Sequence, residues 1–99
     1  MTKIRTSVVI PTFRRLDSLT RAIDSVMAQE NVCAQETELL VVDNDAERSA
    51  RAVVERYGNA PIQVRYASEP EPGVANVRNK AISEVRGRLI AFLDDDQSA

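Results

Sequence analysis

Leu89-Ile90-Ala91-Phe92-Leu93-Asp94-Asp95-Asp96 is an unbroken apolar run closed by three carboxylates. A continuous apolar stretch of this length predicts a strand buried on both faces of a parallel sheet, since a strand with one wet face would alternate. Acids at the carboxyl end of such a strand stand where open α/β sheets bind their ligands. Three adjacent carboxylates repel one another unless a cation neutralises them, and hard divalent ions favour oxygen ligands of this kind. A solvated acidic loop or a helix N-cap would use the same residues equally well, so the rest of the chain has to decide.

Upstream, strands and helices alternate. Ser7-Val8-Val9-Ile10 is a β-branched run that Pro11 is expected to stop. Leu16, Leu19, Ile23, Val26 and Met27 recur at helical spacing, with Asp17 in the favourable first turn, so a helix is predicted to about Gln29. Leu39-Leu40-Val41-Val42 is a second buried strand, ended by Asp43-Asn44-Asp45. Asp45 is the expected N-cap of a helix whose apolar face is Ala50, Val53, Val54 and Tyr57, terminated by Gly58-Asn59. Ile62 to Tyr66 alternates, as an edge strand does, and Ser68-Glu69-Pro70-Glu71-Pro72-Gly73 turns the chain. Val74, Val77, Ala81, Ile82 and Val85 predict a third helix, stopped by Gly87 before the final strand.

The pattern is βαβαβαβ, a doubly wound α/β domain with right-handed crossovers and a mostly parallel sheet. Two strands buried on both faces and a peripheral third are satisfied by the Rossmann-like order 3-2-1-4. That order sets the ends of strands one and four side by side. Pro11-Thr12-Phe13, Asp43 and Asp94 to Asp96 then line one crevice.

Composition narrows the classes. The chain has 99 residues, 43% of them apolar and 28% charged, which fits one globular domain and excludes a disordered one. A formal charge of −2 gives no sign of a nucleic-acid partner, and no apolar run approaches the roughly 20 residues of a membrane span. No secretory h-region follows the start, and the lone Cys33, on a chain without His, forms neither an intrachain disulfide nor a Cys–His pair. A reducing, cytoplasmic location is expected.

Only three glycines are present, and the turn after strand one is Pro11-Thr12-Phe13-Arg14-Arg15. The Walker-A loop and the Gly-x-Gly-x-x-Gly fingerprint are therefore excluded. A diphosphate bound here needs another counter-charge: a divalent ion on the strand-four carboxylates, or a side chain such as Arg14 or Arg78. Asp43 suits a different task, accepting a hydrogen bond from a ring N–H or a sugar hydroxyl.

Four segments in order, Val8 to Arg15, Leu40-Val41-Val42-Asp43-Asn44, Gly73-Val74-Ala75-x-x-Arg78-Asn79 and Phe92-Leu93-Asp94-Asp95-Asp96, together resemble the motifs of family 2 glycosyltransferases. Each is weak alone; their order and spacing across nearly the whole chain make the match specific. The resemblance implies an inverting enzyme of GT-A fold, residues 1–99 forming its nucleotide-sugar (donor) half. It implies that Pro11, Thr12 and Phe13 line the base pocket and that Asp43 accepts the ring N–H of a uracil or similar base. Arg78 would approach the diphosphate, with Arg14 as a further nucleotide contact. In the Asp-x-Asp motif, Asp96 with Asp94 would hold Mg²⁺ or Mn²⁺, and Asp94 or Asp95 would touch the ribose.

Two positions depart from the family pattern: many members carry Asn where this chain has Arg14, and a small residue where it has Asp45. The acceptor site and catalytic base are expected in a continuation beyond Ala99, so no catalytic base is assigned within these residues. The implied partners are a nucleoside-diphosphate sugar, UDP-sugars favoured, and a glycan or lipid-linked acceptor, the latter bringing membrane contact. A non-catalytic nucleotide- or metal-binding module is the rival reading. A phosphorelay receiver domain ranks lower, since it needs acids where this chain has Pro11-Thr12. Strand four, with an apolar edge open to pairing, is expected to support dimerisation through Arg88–Leu93.

Overall fold

The computed structural model describes residues 4–28 and 36–93. Its elements are β1 (Thr6–Thr12), α1 (Leu16–Met27), β2 (Thr37–Asp43), α2 (Arg51–Glu55), β3 (Gln63–Ser68), α3 (Val74–Glu84) and β4 (Leu89–Phe92). Cys33, the expected end of the first helix at Gln29, and Asp94, Asp95 and Asp96 lie outside the described residues.

All three pairings are parallel and the strand order is β3-β2-β1-β4, as the alternation predicts. The seven residues of β2 are all buried, which is the meaning of its unbroken apolar run. Helices cover both faces. On one, Leu19, Ala22, Ile23 and Val26 of α1 and Val53 and Val54 of α2 meet Ile10, Leu39 and Val41. On the other, Val77 and Ala81 of α3 meet Val9, Leu40 and Val42. Each fully buried Val, Leu or Ile contributes about 1.5–3 kcal/mol, so both layers are needed.

Three expectations are corrected. First, β1 does not stop at Pro11 but runs to Thr12, which pairs with Asp43. Proline ends only the other ladder: the Leu93 N–H bonds the Val9 carbonyl at 2.9 Å, and the next bond would require an N–H from Pro11. Second, β4 is not buried on both faces. Leu89 is 65% exposed, with Ile90 and Phe92 each at 39%, because among the described residues only β1 pairs with this edge strand. Third, α3 buries a narrower stripe than its apolar residues suggest, leaving Val74 and Ile82 exposed.

A buried polar node sets the amino ends of the strands. Glu38, without exposed surface, accepts from the Ser7 hydroxyl at 2.6 Å, the Arg86 N–H at 2.7 Å and the Arg65 guanidinium at 2.7 Å. Ser7 in turn accepts the Gly87 N–H at 2.9 Å. One carboxylate thus ties β1, β2, β3 and the turn into β4. Gly87 is required by close approach: a Cβ there would lie 2.8 Å from the Ser7 nitrogen and the Thr6 carbonyl carbon.

Burial pushes the Glu38 carboxyl up, but the Ser7 hydroxyl, the Arg86 N–H and Arg65 outweigh it and leave it below the ordinary range. A depressed carboxyl stabilises the fold above its unfolded value of about 4.3, and that contribution disappears as pH falls through the lower folded value. Glu38→Gln should cost about 2–4 kcal/mol in urea unfolding at pH 7, because it removes the charge facing Arg65 and sets an N–H₂ group either against Arg65 or against Ser7 and the Arg86 N–H. The variant should also show a shallower loss of stability below about pH 4 than the parent; equal acid sensitivity would remove Glu38 from that role.

Candidate functional site

At the carboxyl ends of the strands lies a crevice of about 450 Å³, lined by Pro11, Thr12, Phe13, Arg15, Asn44, Gly73, Val74, Val77, Arg78 and Phe92. A second depression of about 480 Å³ lies at the opposite end, among Ile4, Arg5, Glu36, Arg88 and Leu89. Its one acid, Glu36, pairs with Arg5 at 3.7 Å, and it lies away from the switch point where such sheets bind ligands.

Asp43 is not among the residues that line the first crevice. Its carboxylate is fully buried; Oδ1 accepts the Asp45 N–H at 3.1 Å, and Oδ2 accepts the Ala50 N–H at 3.0 Å and the Tyr66 hydroxyl at 2.9 Å. Asp43, expected to meet a ligand, instead gathers the turn after β2, the start of α2 and β3. Asn44 takes the exposed position instead. Its backbone N–H bonds the Thr12 carbonyl at 2.9 Å, and its side-chain amide donates to the Glu69 and Glu71 carbonyls, the latter at 2.8 Å. This holds the loop that carries Gly73 into α3. Gly73 has φ 120°, a backbone region open mainly to glycine, and it lets the first turn of α3 face the crevice.

The arginines divide unexpectedly. Arg15 lines the crevice, whereas Arg14, expected there, is turned to Asp45, with Nε 3.3 Å from Oδ1. Arg14 also lies over the Phe13 ring, 5.2 Å from its centroid. Asp45 is not the N-cap of α2, which has no side-chain cap; its Oδ1 accepts the Glu47 N–H at 3.0 Å. The Ser49 hydroxyl beside it, the Glu47 N–H and the Arg14 charge hold the Asp45 carboxyl below the usual range, against the opposing effect of burial. Ser49 makes no hydrogen bond of good geometry, so its pull is that of a nearby dipole. Arg78 lines the crevice as expected, its guanidinium 5.0 Å from the centroid of Phe92.

Pro11, Thr12, Phe13 and Arg78 are therefore brought together, and Asp43 is not in the lining. Arg15, Asn44, Gly73, Val74, Val77 and Phe92 join it without an expected role of their own. Asn44, Gly73, Val74 and Phe92 lie within the family-like motifs, and Arg15 is one of two adjacent arginines of which only one can face a crevice. Among the described residues the lining holds Arg15, Arg78 and the start of α3 and no acid, which suits an anion flanked by aromatic rings. Among the described residues no group of acids, Cys or His could hold a metal ion. The acids of Asp94-Asp95-Asp96 are of the oxygen-donor kind that Mg²⁺ and Mn²⁺ accept, and they follow Leu93 in sequence.

A crevice at the switch point of a 3-2-1-4 parallel sheet stands where doubly wound α/β domains bind their ligands. Residues 7–99 match the profile of glycosyl transferase family 2, and the chain belongs to that family. It is 32% identical over 90 residues to the UDP-Glc:alpha-D-GlcNAc-diphosphoundecaprenol beta-1,3-glucosyltransferase WfgD of Escherichia coli, covering 91% of this chain and 34% of that protein. It is 34% identical over 88 residues to the succinoglycan biosynthesis protein ExoM of Rhizobium meliloti, covering 88% of this chain and 28% of the relative. The crystal structure of Staphylococcus aureus TarS 1-349 in complex with UDP-GlcNAc superposes with a TM-score of 0.77 at 26% identity, over 94% of this chain and 27% of that one. The fold is that of the GT-A glycosyltransferases. The chain spans about a third of the length of the curated relatives just described.

Tyr57 and Tyr66 are the chain's two tyrosines. Burial, then a hydrogen bond to Asp24 in one case and Asp43 in the other, pushes each hydroxyl up to about 12. Raised values stabilise the fold fully below the unfolded value of about 10, and that contribution is lost as pH climbs through 12. Absorbance at 295 nm should therefore show no tyrosinate in the native protein at pH 10.5, then rise together with alkaline unfolding. Smooth titration centred at 10 in the folded protein would contradict the two hydroxyl–carboxylate contacts.

Proposed function

We propose that the crevice binds the nucleoside diphosphate of a sugar donor, a UDP-sugar in preference, and that residues 1–99 are the donor-binding half of an inverting glycosyltransferase. The observation that carries this reading is the crevice in which Arg15, Arg78 and the start of α3 stand with Phe13 and Phe92. One relative, WfgD, is named for a UDP-Glc donor, and TarS structures hold UDP and UDP-GlcNAc. Phe13 with the Pro11–Thr12 backbone takes the base, and Asn44 stands where a base edge would reach. Arg78 and Arg15 take the diphosphate. Asp96 and Asp94 would hold Mg²⁺ or Mn²⁺, with Asp95 or Asp94 at the ribose; the ion would act as a Lewis acid toward the phosphate oxygens.

Transfer breaks the bond between the sugar carbon and the diphosphate oxygen, so negative charge grows on the departing diphosphate. Fixed guanidiniums stabilise that charge more than they stabilise the ground state, which is the condition for raising the rate. An acceptor hydroxyl attacks the opposite face of the sugar carbon, giving inversion, and loses its proton to a general base. We assign the base and the acceptor contacts to the other half of such an enzyme. A cytoplasmic location, with membrane contact where the acceptor is lipid-linked, accords with this reading.

Calorimetric titration tests it. UDP with Mn²⁺ should bind the 99-residue chain, and Arg78→Ala should weaken it by about tenfold, the loss of one charge-assisted contact. No heat with UDP, with or without Mn²⁺, would overturn the proposal.

The open edge of β4, with Leu89, Ile90 and Phe92 exposed, supports pairing of two chains through Arg88–Leu93. Sedimentation should show a concentration-dependent dimer that Ile90→Lys abolishes; a monomer at every concentration would exclude that pairing.

A further inference from the structure

The structure brings Arg14 and Asp45 into contact. They sit on different turns, Arg14 between β1 and α1 and Asp45 between β2 and α2. The Asp45 carboxylate is 1% exposed, and the Arg14 Nε approaches its Oδ1 at 3.3 Å. Arg14 has φ 53°, a left-handed conformation that Asn adopts readily and Arg rarely does. The ion pair offsets that backbone cost. It also leaves the guanidinium 5.2 Å from the centroid of Phe13, a 53% exposed ring on the rim of the crevice.

We infer that Arg14 is a positioning residue: anchored by Asp45, its guanidinium covers one face of Phe13 and holds the ring as a stacking platform for the nucleobase. The inference rests on the donor-binding reading and adds to it the determinant of base recognition. An exposed Phe on a turn would otherwise sample several rotamers, and ordering it on binding would cost affinity. The cation–π contact restricts it beforehand. Asp45 is fixed in its own turn by the Glu47 N–H, so the platform is tied to the sheet rather than to a free side chain. Arg14 is held off the crevice lining, where Arg15 stands, and so acts through the ring and not on the phosphates.

The test compares a ligand that has a base with one that lacks it. Uridine diphosphate and inorganic pyrophosphate, each with Mn²⁺, are titrated into the parent, Phe13→Ala, Arg14→Asn, Asp45→Asn and the Arg14→Asn/Asp45→Asn double variant. Asn at position 14 keeps the left-handed turn while removing the cation. Phe13→Ala should weaken UDP by about 10–100-fold, the range for losing one base–aromatic stack. Arg14→Asn and Asp45→Asn should each weaken UDP about three- to tenfold, and the double variant no more than either single. Pyrophosphate affinity should stay within about twofold throughout. Thermal melting confirms folding, and if Asp45→Asn does not fold, Arg14→Asn alone carries the comparison. Unchanged UDP affinity in Arg14→Asn beside a weakened Phe13→Ala overturns the positioning role and leaves the donor reading standing. Equal weakening of UDP and pyrophosphate overturns it too, since Arg14 would then act on the diphosphate. Failure of the parent to bind UDP overturns the donor reading and this inference together.

Discussion

The Asp43 carboxylate has no exposed surface and accepts hydrogen bonds from the Asp45 N–H, the Ala50 N–H and the Tyr66 hydroxyl. A buried carboxylate is tolerated only when its lone pairs are met, and here the groups that meet them come from three parts of the chain. The turn after β2, the start of α2 and β3 are thereby fixed to one point at the carboxyl end of the sheet. Everything that lines the crevice stands on that point: Asn44 is the next residue, Asp45 reaches back to Arg14, and the β3 loop is held by Asn44 on its way to Gly73. Removing the carboxylate would leave two buried N–H groups unpaired and loosen every wall together.

The opposite end of the sheet is held in the same way by Glu38. Its partners on β1, β3 and the turn into β4 set where the last strand begins, and Pro11 decides where its ladder ends. Four residues of β4 lie between those limits. Pro11 thus removes the donor that the Leu93 carbonyl would next meet on β1. A sheet tied at one end by buried Glu38 and at the other by buried Asp43 is a scaffold on which loop residues can be exchanged.

Much of this was legible in the sequence because the signals were periodic. The all-buried β2 and the helical stripe of α1 follow from runs and spacings that packing enforces, and so does the strand order. Details that depend on where one side chain turns were not legible. Asp43 and Asn44 are adjacent, and strand alternation alone does not say which faces inward. Arg14 and Arg15 posed the same question, answered by a left-handed backbone that no propensity favours for Arg. The apolar residues of β4 correctly mark a strand, but burial on both faces requires a neighbour on each side. Among the described residues β4 has only β1. The exposure of Val74 has a different cause: it opens α3 at the crevice rim, where a ligand rather than the core is the natural cover.

Family membership, the parallel 3-2-1-4 sheet and a crevice lined by Arg15 and Arg78 support the proposed donor site. A crystal structure of the chain with UDP and Mn²⁺ tests this most directly. The nucleotide should lie between Phe13 and Arg78, with the Asp43 carboxylate still on the Ala50 and Asp45 N–H groups. A nucleotide bound elsewhere, or an Asp43 side chain withdrawn from those N–H groups to grip the base, would contradict it.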